Sequence, residues 1–595
     1  MSTIMSRRDL DFLLHEWLGT DELLTRPRYA DHSRDTVDAV LDLAEQIATT
    51  QFAPHNRLAD LNEPTYDGST VTVIPEVGVA LKAFADAGFL STSVDTAGES
   101  PLPAVVTAAC MSWFQAANAG TSAYAMLTMA AANLVRTHGS AEQVERYAVP
   151  MSDGRWFGTM MLSEPHAGSN LSDITTRAVP QADGTYRLFG RKMWISGGDH
   201  ELTENIVHLV LARTPDAPAG TKGISLFLVP KVLVRDDGSL GERNDITLAG
   251  INHKMGYRGT VNTAPVLGDG ASTPGGAPGA VGYLVGDENR GMPLMFSMMN
   301  EARIGVGLCA AALGYTGYLE SLAYARERLQ GRPVGAAPTT PQVPLVDHPD
   351  VRRMLLAQKS YVEGALALVL LGARLFDESE TAAGADEREQ ALALLGLLTP
   401  IVKSWPSQYG VAANDLAIQV LGGAGYTRDF DVEQHYRDNR LNAIHEGTHG
   451  IQALDLLGRK VLLDGGKSLG LLVARIHASA DRARATGTDG ALLADRLVAA
   501  CDDLVATTAA LAALGDPARM LADATAYLEA TGHVVVAWVW LDQWLSAHGK
   551  TGDFYDGKRA AATFFLTREL PRVGPMLALL RDADGLTLAL DPDVL

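Results

Sequence analysis

Two hydrophobic periods alternate along the chain. In residues 36–50 (TVDAVLDLAEQIATT) and 124–138 (YAMLTMAAANLVRTH) apolar side chains recur every three or four positions. That spacing predicts amphipathic helices and a helical domain over 1–155. At Trp156 the texture changes. The runs WFGTMML, TYRLFGRKMWIS, IVHLVLA and GISLFLV are short, apolar or β-branched, and bounded by Gly, Asp or Pro. They predict a central β domain over 156–290, a small barrel or sandwich. Residues 231–250 (KVLVRDDGSLGERNDITLAG) read as a long loop inserted in it. The helical period resumes near Pro293, broken by a Pro/Gly-rich stretch at 331–349 and a polar loop at 378–388, and carries a helical segment over 291–463. DGGKSLG (464–470) reads as a linker into a further Ala- and Leu-rich helical domain over 467–595. The predicted fold class is mainly α with a central β domain, in the order helix, β, helix, helix.

Charge and cysteines narrow the function classes. A net charge of −21 in 595 residues opposes a nucleic-acid surface spread over the whole molecule. Three widely spaced cysteines, Cys110, Cys309 and Cys501, supply neither a disulfide framework nor a metal knuckle, and no metal site is expected. The first 24 residues mix both charge signs into apolar positions and read as an amphipathic helix, not a signal peptide. The apolar run 534–541 is too short to span a bilayer, so no membrane span and a cytoplasmic location are expected.

No G-x-G-x-x-G opens a helix after a strand, and no P-loop, H-E-x-x-H or G-x-S-x-G is present. A redox cofactor would therefore not sit in a Rossmann unit. Three stretches carry candidate chemistry. FGTMMLSEPHAGSNLSDITTRAV (157–179) ends a β run in Ser163-Glu164-Pro165 and turns at Gly168-Ser169. Such a turn is either an ordinary β connection or a set of N–H and hydroxyl donors for a polar ligand. GRKMWISGGDH (190–200) reads as a strand with Trp194 and Ser196 on one face, either core or an aromatic wall for a flat ring. RLNAIHEGTHGIQALDL (440–456) sets Glu446 in a turn before an amphipathic helix, as a helix-starting acid or as a base.

In order, these motifs resemble the acyl-CoA dehydrogenase family. So do NEARIGVGLCAAALGYTGYLESLAYARERLQGR (300–332) and QVLGGAGYTRDFDVEQHYRDNRLNAIHEGT (419–448). The size, the β-domain insertion and the extra C-terminal domain resemble the branch containing 3-methylmercaptopropionyl-CoA dehydrogenase. The resemblance implies a β barrel or sandwich followed by a four-helix bundle, with FAD bound between them. By motif position it places Met160, Leu162, Ser163, Gly168, Ser169, Trp194 and Ser196 about the flavin and its phosphate. Arg328, Gln419, Gly422, Gly423 and Thr448 would hold the pyrophosphate and adenosine ends, partly in a neighbouring subunit. Ser169, Asn300, Glu301, Arg303 and Gly447 would contact the acyl-CoA, although Arg303 could instead be a structural bridge. Glu446 matches the catalytic base. It would take the α-proton while the β-hydride passes to FAD, leaving a trans double bond; its own backbone N–H would help to stabilise the thioester oxygen. An electron-transferring flavoprotein as acceptor and a homodimer are further implications.

Several positions depart from the family pattern. Met160 stands for a tyrosine, Asn170 for an aspartate, and Leu329-Gln330-Gly331 for Thr-Phe-Gly. Pro349 follows His348 where a glutamine is usual. His445 replaces a tyrosine beside the base, either sensitising activity to pH or simply lining the wall. Two rival readings keep the fold: an oxidase using O₂, and a DNA-binding flavoprotein with a basic C-terminal domain. Residues 467–595 hold 12 Lys/Arg against 16 Asp/Glu, which opposes the second.

Overall fold

A computed structural model describes residues 4–92 and 100–595, without the side chains of 296–301. The chain forms two compact units, one of 35–102 and 113–302, the other of 1–34, 103–112 and 303–595.

The first unit is built on one nine-stranded sheet. Its strands are β1 (Trp156–Met161), β2 (Arg177–Pro180), β3 (Tyr186–Arg191), β4 (Ile195–Ser196), β5 (Asn205–Ala212), β6 (Ser225–Pro230), β7 (Ile246–Ile251), β8 (Asn262–Leu267) and β9 (Ala280–Val285). They run in the order β7-β8-β3-β9-β6-β5-β1, with β2 on β3 and β4 on β8; only β1 and β5 pair in parallel. Both faces are covered. Val207, Leu209 and Leu211 pack with Trp156 and with Ala131, Leu134 and Val135 of the helix Ala119–His138. The alternate residues Val210 and Ala212 pack with Met161, Leu188 and Phe227 on the other side. Burial on two faces is why IVHLVLA lacks the apolar–polar alternation of a half-exposed strand. The central β domain expected from the sequence is thus present, as one nine-stranded sheet. The expected loop at 231–250 is instead a hairpin, Val232–Val234 with Leu240–Arg243, followed by edge strand β7. Its charged turn concealed the flanking β-branched residues.

The second unit is helical. Its main elements are α1 (Gly291–Glu327, from Arg303 onward), α2 (Pro349–Thr381), α3 (Ala385–Leu421), α4 (Val432–Asn439) and α5 (His449–Asp455), followed by α6 (Lys467–Arg484), α7 (Thr488–Ala512), α8 (Ala524–Ala547), α9 (Asp553–Phe564) and α10 (Val573–Asp582). The polar loop expected at 378–388 shrinks to three residues, because α2 and α3 extend into it. The linker expected at 464–470 is a short turn whose Asp464, Gly465 and Gly466 take left-handed backbone, and α6 starts at Lys467. α1 and α3 cross closely: a Cβ at Gly314 would lie 3.0 Å from Gly410 Cα, so glycine on both helices permits the contact. α2 is long and apolar enough to cross a membrane, and 89% of its most apolar stretch is buried within the protein. The C-terminal helices pack into the bundle. Trp540 of α8 donates to Ser360 O of α2 at 2.9 Å, and Tyr409 of α3 donates to Glu529 of α8 at 2.6 Å.

Candidate active site

The segment joining α4 to α5 is a 3-10 turn, Arg440–Ala443, followed by Ile444 to Thr448. Glu446 has φ +52° and Gly447 φ +87°, two successive left-handed residues. For a side chain larger than glycine this conformation costs about 1–2 kcal/mol and persists where the surroundings impose it. Here Gln452 Nε2 donates to Glu446 O at 3.0 Å from the first turns of α5. A Cβ on Gly447 would fall 2.5 Å from that same nitrogen, so glycine is required there. Thr448 is the helix cap: its hydroxyl accepts from Ile451 N at 3.3 Å. The hydroxyl expected near adenine is thus engaged in capping, and capping gives no reason for Glu446. Among the described residues, no hydrogen bond or ion pair ends on the Glu446 carboxylate, and its backbone N–H has no acceptor.

Burial pushes the Glu446 carboxyl above its usual value, and Arg303 and Lys403 pull the other way. Arg303 on α1 is 4% exposed, with Nη1 3.6 Å from Asp455 of α5, which also pairs with Arg459 at 2.6 Å. It is therefore both a structural bridge and a charge near the base. Lys403 on α3 is fully buried and donates to Asn442 O at 2.8 Å; burial lowers its ammonium to about 7. No motif pointed to Lys403. The available signal was a lysine inside an otherwise apolar helical run, LLTPIVKSW. Burial lowers His445 to about 3, and its Nε2 lies 3.1 Å from Asn442 Oδ1. His445 is a neutral, satisfied wall residue across the neutral range. Burial likewise lowers His449, to about 4.

The two β motifs form a second constellation, in the sheet unit. Glu164 is buried and accepts from Thr175 N and Oγ1 at 2.8 Å each, from Thr176 N at 3.0 Å and from Thr176 Oγ1 at 2.6 Å. Lys192, also buried, meets it at 3.1 Å and donates to Leu162 O and Leu211 O. Burial opposes its ionisation, yet Lys192 and the threonine donors hold Glu164 down to about 2. This carboxylate is wholly committed to structure. Lys192→Met will destabilise the protein by about 1.5–3 kcal/mol, since Glu164 keeps its threonine donors but loses its counter-charge. Denaturant unfolding at neutral pH measures it, and an unchanged midpoint would refute the clamp.

This clamp frames an exposed ledge. Met193 N donates to Ser163 O at 3.0 Å, and Thr159 Oγ1 to Ser196 O at 2.6 Å. Trp194 does not lie on a strand: its φ is +66°, it is 64% exposed, and β4 begins only at Ile195. The alternation expected for Trp194 and Ser196 fails because a left-handed residue breaks the pleat. Ser196 Oγ accepts from Asn262 Nδ2 at 3.2 Å, while Met160, Leu162 and Ser163 are half-buried. An indole held uncovered in strained backbone, beside serine hydroxyls, fits one face of a flat conjugated ring such as the flavin of FAD. Gly168 and Ser169 are exposed on the following turn.

The remaining expected contacts are surface positions of the helical unit. Arg328 is exposed just beyond α1, and Gln419 is exposed near the end of α3. Gly422, with φ +61°, caps α3; Gly422 and Gly423 are exposed, with open space where a Cβ would stand. The side chains of Asn300 and Glu301 lie outside the described residues.

Comparison with known proteins bears on all of these motifs. Residues 159–269 match the acyl-CoA dehydrogenase middle domain, 289–462 the acyl-CoA dehydrogenase C-terminal domain, and 472–591 the "acetyl-CoA dehydrogenase C-terminal like" domain. The chain is 36% identical to 3-methylmercaptopropionyl-CoA dehydrogenase of Ruegeria pomeroyi, over 95% of each chain. It is 34% identical to the broad-specificity linear acyl-CoA dehydrogenase FadE5 of Mycobacterium tuberculosis, over 98% of each. Among solved structures, Caenorhabditis elegans ACDH-11 in complex with C11-CoA superposes with a TM-score of 0.74 at 18% identity, covering 98% of this chain and 95% of that one. The uncommitted glutamate, the exposed tryptophan ledge and three successive domain matches therefore converge: this chain belongs to the acyl-CoA dehydrogenase family of FAD flavoproteins.

Proposed function

We propose that Glu446 removes the α-proton of an acyl-CoA thioester in the dehydrogenation that introduces its α,β double bond. One observation carries this reading: a partly buried carboxylate, fixed in left-handed backbone, with no hydrogen-bond partner among the described residues. FAD, when bound, accepts the β-hydride. The ledge of Leu162, Ser163, Trp194 and Ser196 would hold its ring, with Gly168 and Ser169 at its phosphate. Gln419, Gly422, Gly423 and Arg328 would serve its pyrophosphate and adenosine end. The free N–H of Glu446 would hydrogen-bond the thioester oxygen as charge develops there. Arg303 and Gly447 line the acyl-CoA side. Closing around the thioester removes water from Glu446 and makes it a stronger base for a weakly acidic C–H.

Linear acyl chains, including methylthio-substituted ones, are the proposed substrates, because the two relatives described above act by name on such thioesters. Transfer of electrons to an electron-transferring flavoprotein, a homodimer and a cytoplasmic location complete the proposal. Among the domain matches and the two named relatives, dehydrogenases and not oxidases appear, which disfavours O₂ as acceptor. The test is anaerobic mixing of the FAD-loaded protein with a series of saturated acyl-CoAs, among them the methylthiopropionyl ester, while the visible flavin band is followed. Prompt bleaching by one chain class is the expected result. Full FAD loading with no bleaching by any ester would overturn it.

A further inference from the structure

The turn that carries Glu446 is tied into the bundle by a buried polar ladder. Asn414, Asn439 and Asn442 are all fully buried. Asn414 Nδ2 donates to Leu313 O of α1 at 3.0 Å, and Asn439 Nδ2 to Asn414 Oδ1 at 2.8 Å and Ala310 O at 3.0 Å. Asn442 Nδ2 donates to Asn439 Oδ1 at 3.1 Å, and Asn442 Oδ1 faces His445 Nε2. These amide orientations and the His445 tautomer follow from the network itself. A ladder in which each amide satisfies the next specifies one arrangement, since breaking any rung strands a buried dipole. It fixes the turn before Glu446 by its side chains. The main chain of that turn is fixed by a different group, Lys403.

Lys403 is unlike the ladder residues. An ammonium has three donors, and this fully buried one makes a single hydrogen bond among the described residues, to the Asn442 carbonyl. As structural glue it is a poor choice, because burying a cation without a full set of partners is costly and an apolar residue of equal length would pack there more cheaply. What it supplies that an apolar residue cannot is positive charge that acts on the Glu446 carboxylate.

We propose that Lys403 is a positioning residue for the proton-abstracting glutamate: it anchors the turn at the Asn442 carbonyl and sets a buried positive charge that acts on Glu446. The proposal rests on the reading of Glu446 as the base. Other charged or titratable groups face the site from each neighbouring element. Arg303 comes from α1, already shared with Asp455; His445 is in the turn; His449 and Asp455 are on α5, with Arg459 beyond. The two histidines are held neutral by burial, so Arg303 and Lys403 are the cations that act on the carboxylate. Arg303 is partly neutralised by Asp455, whereas among the described residues no carboxylate besides Glu446 acts on Lys403. Lys403 itself titrates near neutrality, so its influence on the carboxylate fades as pH rises through about 7.

The test compares wild type with Lys403→Met and Lys403→Gln. It follows exchange of the acyl-CoA α-proton with D₂O by NMR, and flavin reduction, across the pH range in which the proteins stay folded. Loss of the charge will move the acid limb of both profiles upward by about 1 pH unit, the low end of what one nearby opposite charge produces. Gln, which can still donate to the Asn442 carbonyl, will keep a higher plateau than Met while showing the same shifted limb. Thermal unfolding identifies the conditions in which each variant is folded, so that the profiles are compared on folded protein. An acid limb at the wild-type position in an FAD-loaded Lys403→Gln protein would overturn the proposal. Should Lys403→Met fail to fold, the Gln profile decides alone. Glu446→Gln separates the two ideas: if it still exchanges the α-proton, the base itself is misassigned, whatever Lys403 does.

Discussion

Glu446→Gln will reduce the rate of flavin reduction by acyl-CoA by about 10³-fold or more, within the range a positioned base contributes. The substitution keeps volume and shape while replacing the basic carboxylate by a far less basic amide. The αL backbone, the Gln452 bond to Glu446 O and the Thr448 cap are all main-chain or neighbouring features, so the turn will stay in place. FAD content and melting temperature will match wild type. Burial without a committed partner raises the wild-type carboxyl above its ordinary value, and the ionised form is the base. Activity in wild type will therefore rise with pH through a point above the usual glutamate range and be lost below it. Glu446→Asp, whose carboxylate is withdrawn by one methylene, will fall between the two. Stopped-flow bleaching of the flavin under anaerobic conditions measures all three. A Glu446→Gln protein that bleaches at the wild-type rate would remove Glu446 from the chemistry.

Lys558→Met will destabilise the protein by about 3–5 kcal/mol, the cost of breaking a buried ion cluster from one side. Lys558 on α9 is fully buried. It pairs with Asp9 of the N-terminal helix Arg7–Asp11 and with Glu363 of α2 at 2.9 Å, and it donates to Gln543 of α8 at 3.1 Å. Tyr315 of α1 donates to Asp9 at 2.9 Å, and Lys359 pairs with Glu363. Burial pushes Asp9 up against the pull of Lys558. It also opposes ionisation of Glu363, but Lys359 and Lys558 outweigh it and hold that carboxyl low. Removing Lys558 leaves two buried carboxylates facing each other with one cation between them. The extra C-terminal helices are thereby built into the same core as the chain's first helix and the bundle. Denaturant unfolding gives the magnitude. Lys82→Met, which breaks an exposed pair with Asp86, is the control and will shift stability by no more than about 0.5 kcal/mol. Equal effects of the two substitutions would show that the buried cluster contributes nothing special.

The sequence by itself determined the sites of change in secondary structure and the chemistry-bearing motifs. The strands of the main sheet begin at Trp156 and end at Val285, and the bundle helix starts at Gly291, because composition and period change there together; the short pair Thr65–Tyr66 and Val71–Thr72 lies in the region read as helical. Glu446, Ser163, Trp194 and the Gly422-Gly423 pair entered as candidates through the ordered motifs that carry the family resemblance. Where local signals competed, the reading erred. The Asp-Gly turn at 236–238 concealed the hairpin around it, and the loop residues at 378–388 became helix once α2 and α3 packed together. Only the tertiary structure decided the rest. It alone set Trp194 in left-handed backbone with its ring uncovered, showed Thr448 spent on a cap and Glu164 spent on Lys192, and left the Glu446 carboxylate uncommitted. It alone brought Lys403, Arg303 and the asparagine ladder to the base, and Asp9 to Lys558 from opposite ends of the chain. The physical reason is one of range. Propensity, period and turn chemistry act over a few residues, whereas desolvation and charge pairing act between side chains that share a space, however far apart they stand in sequence.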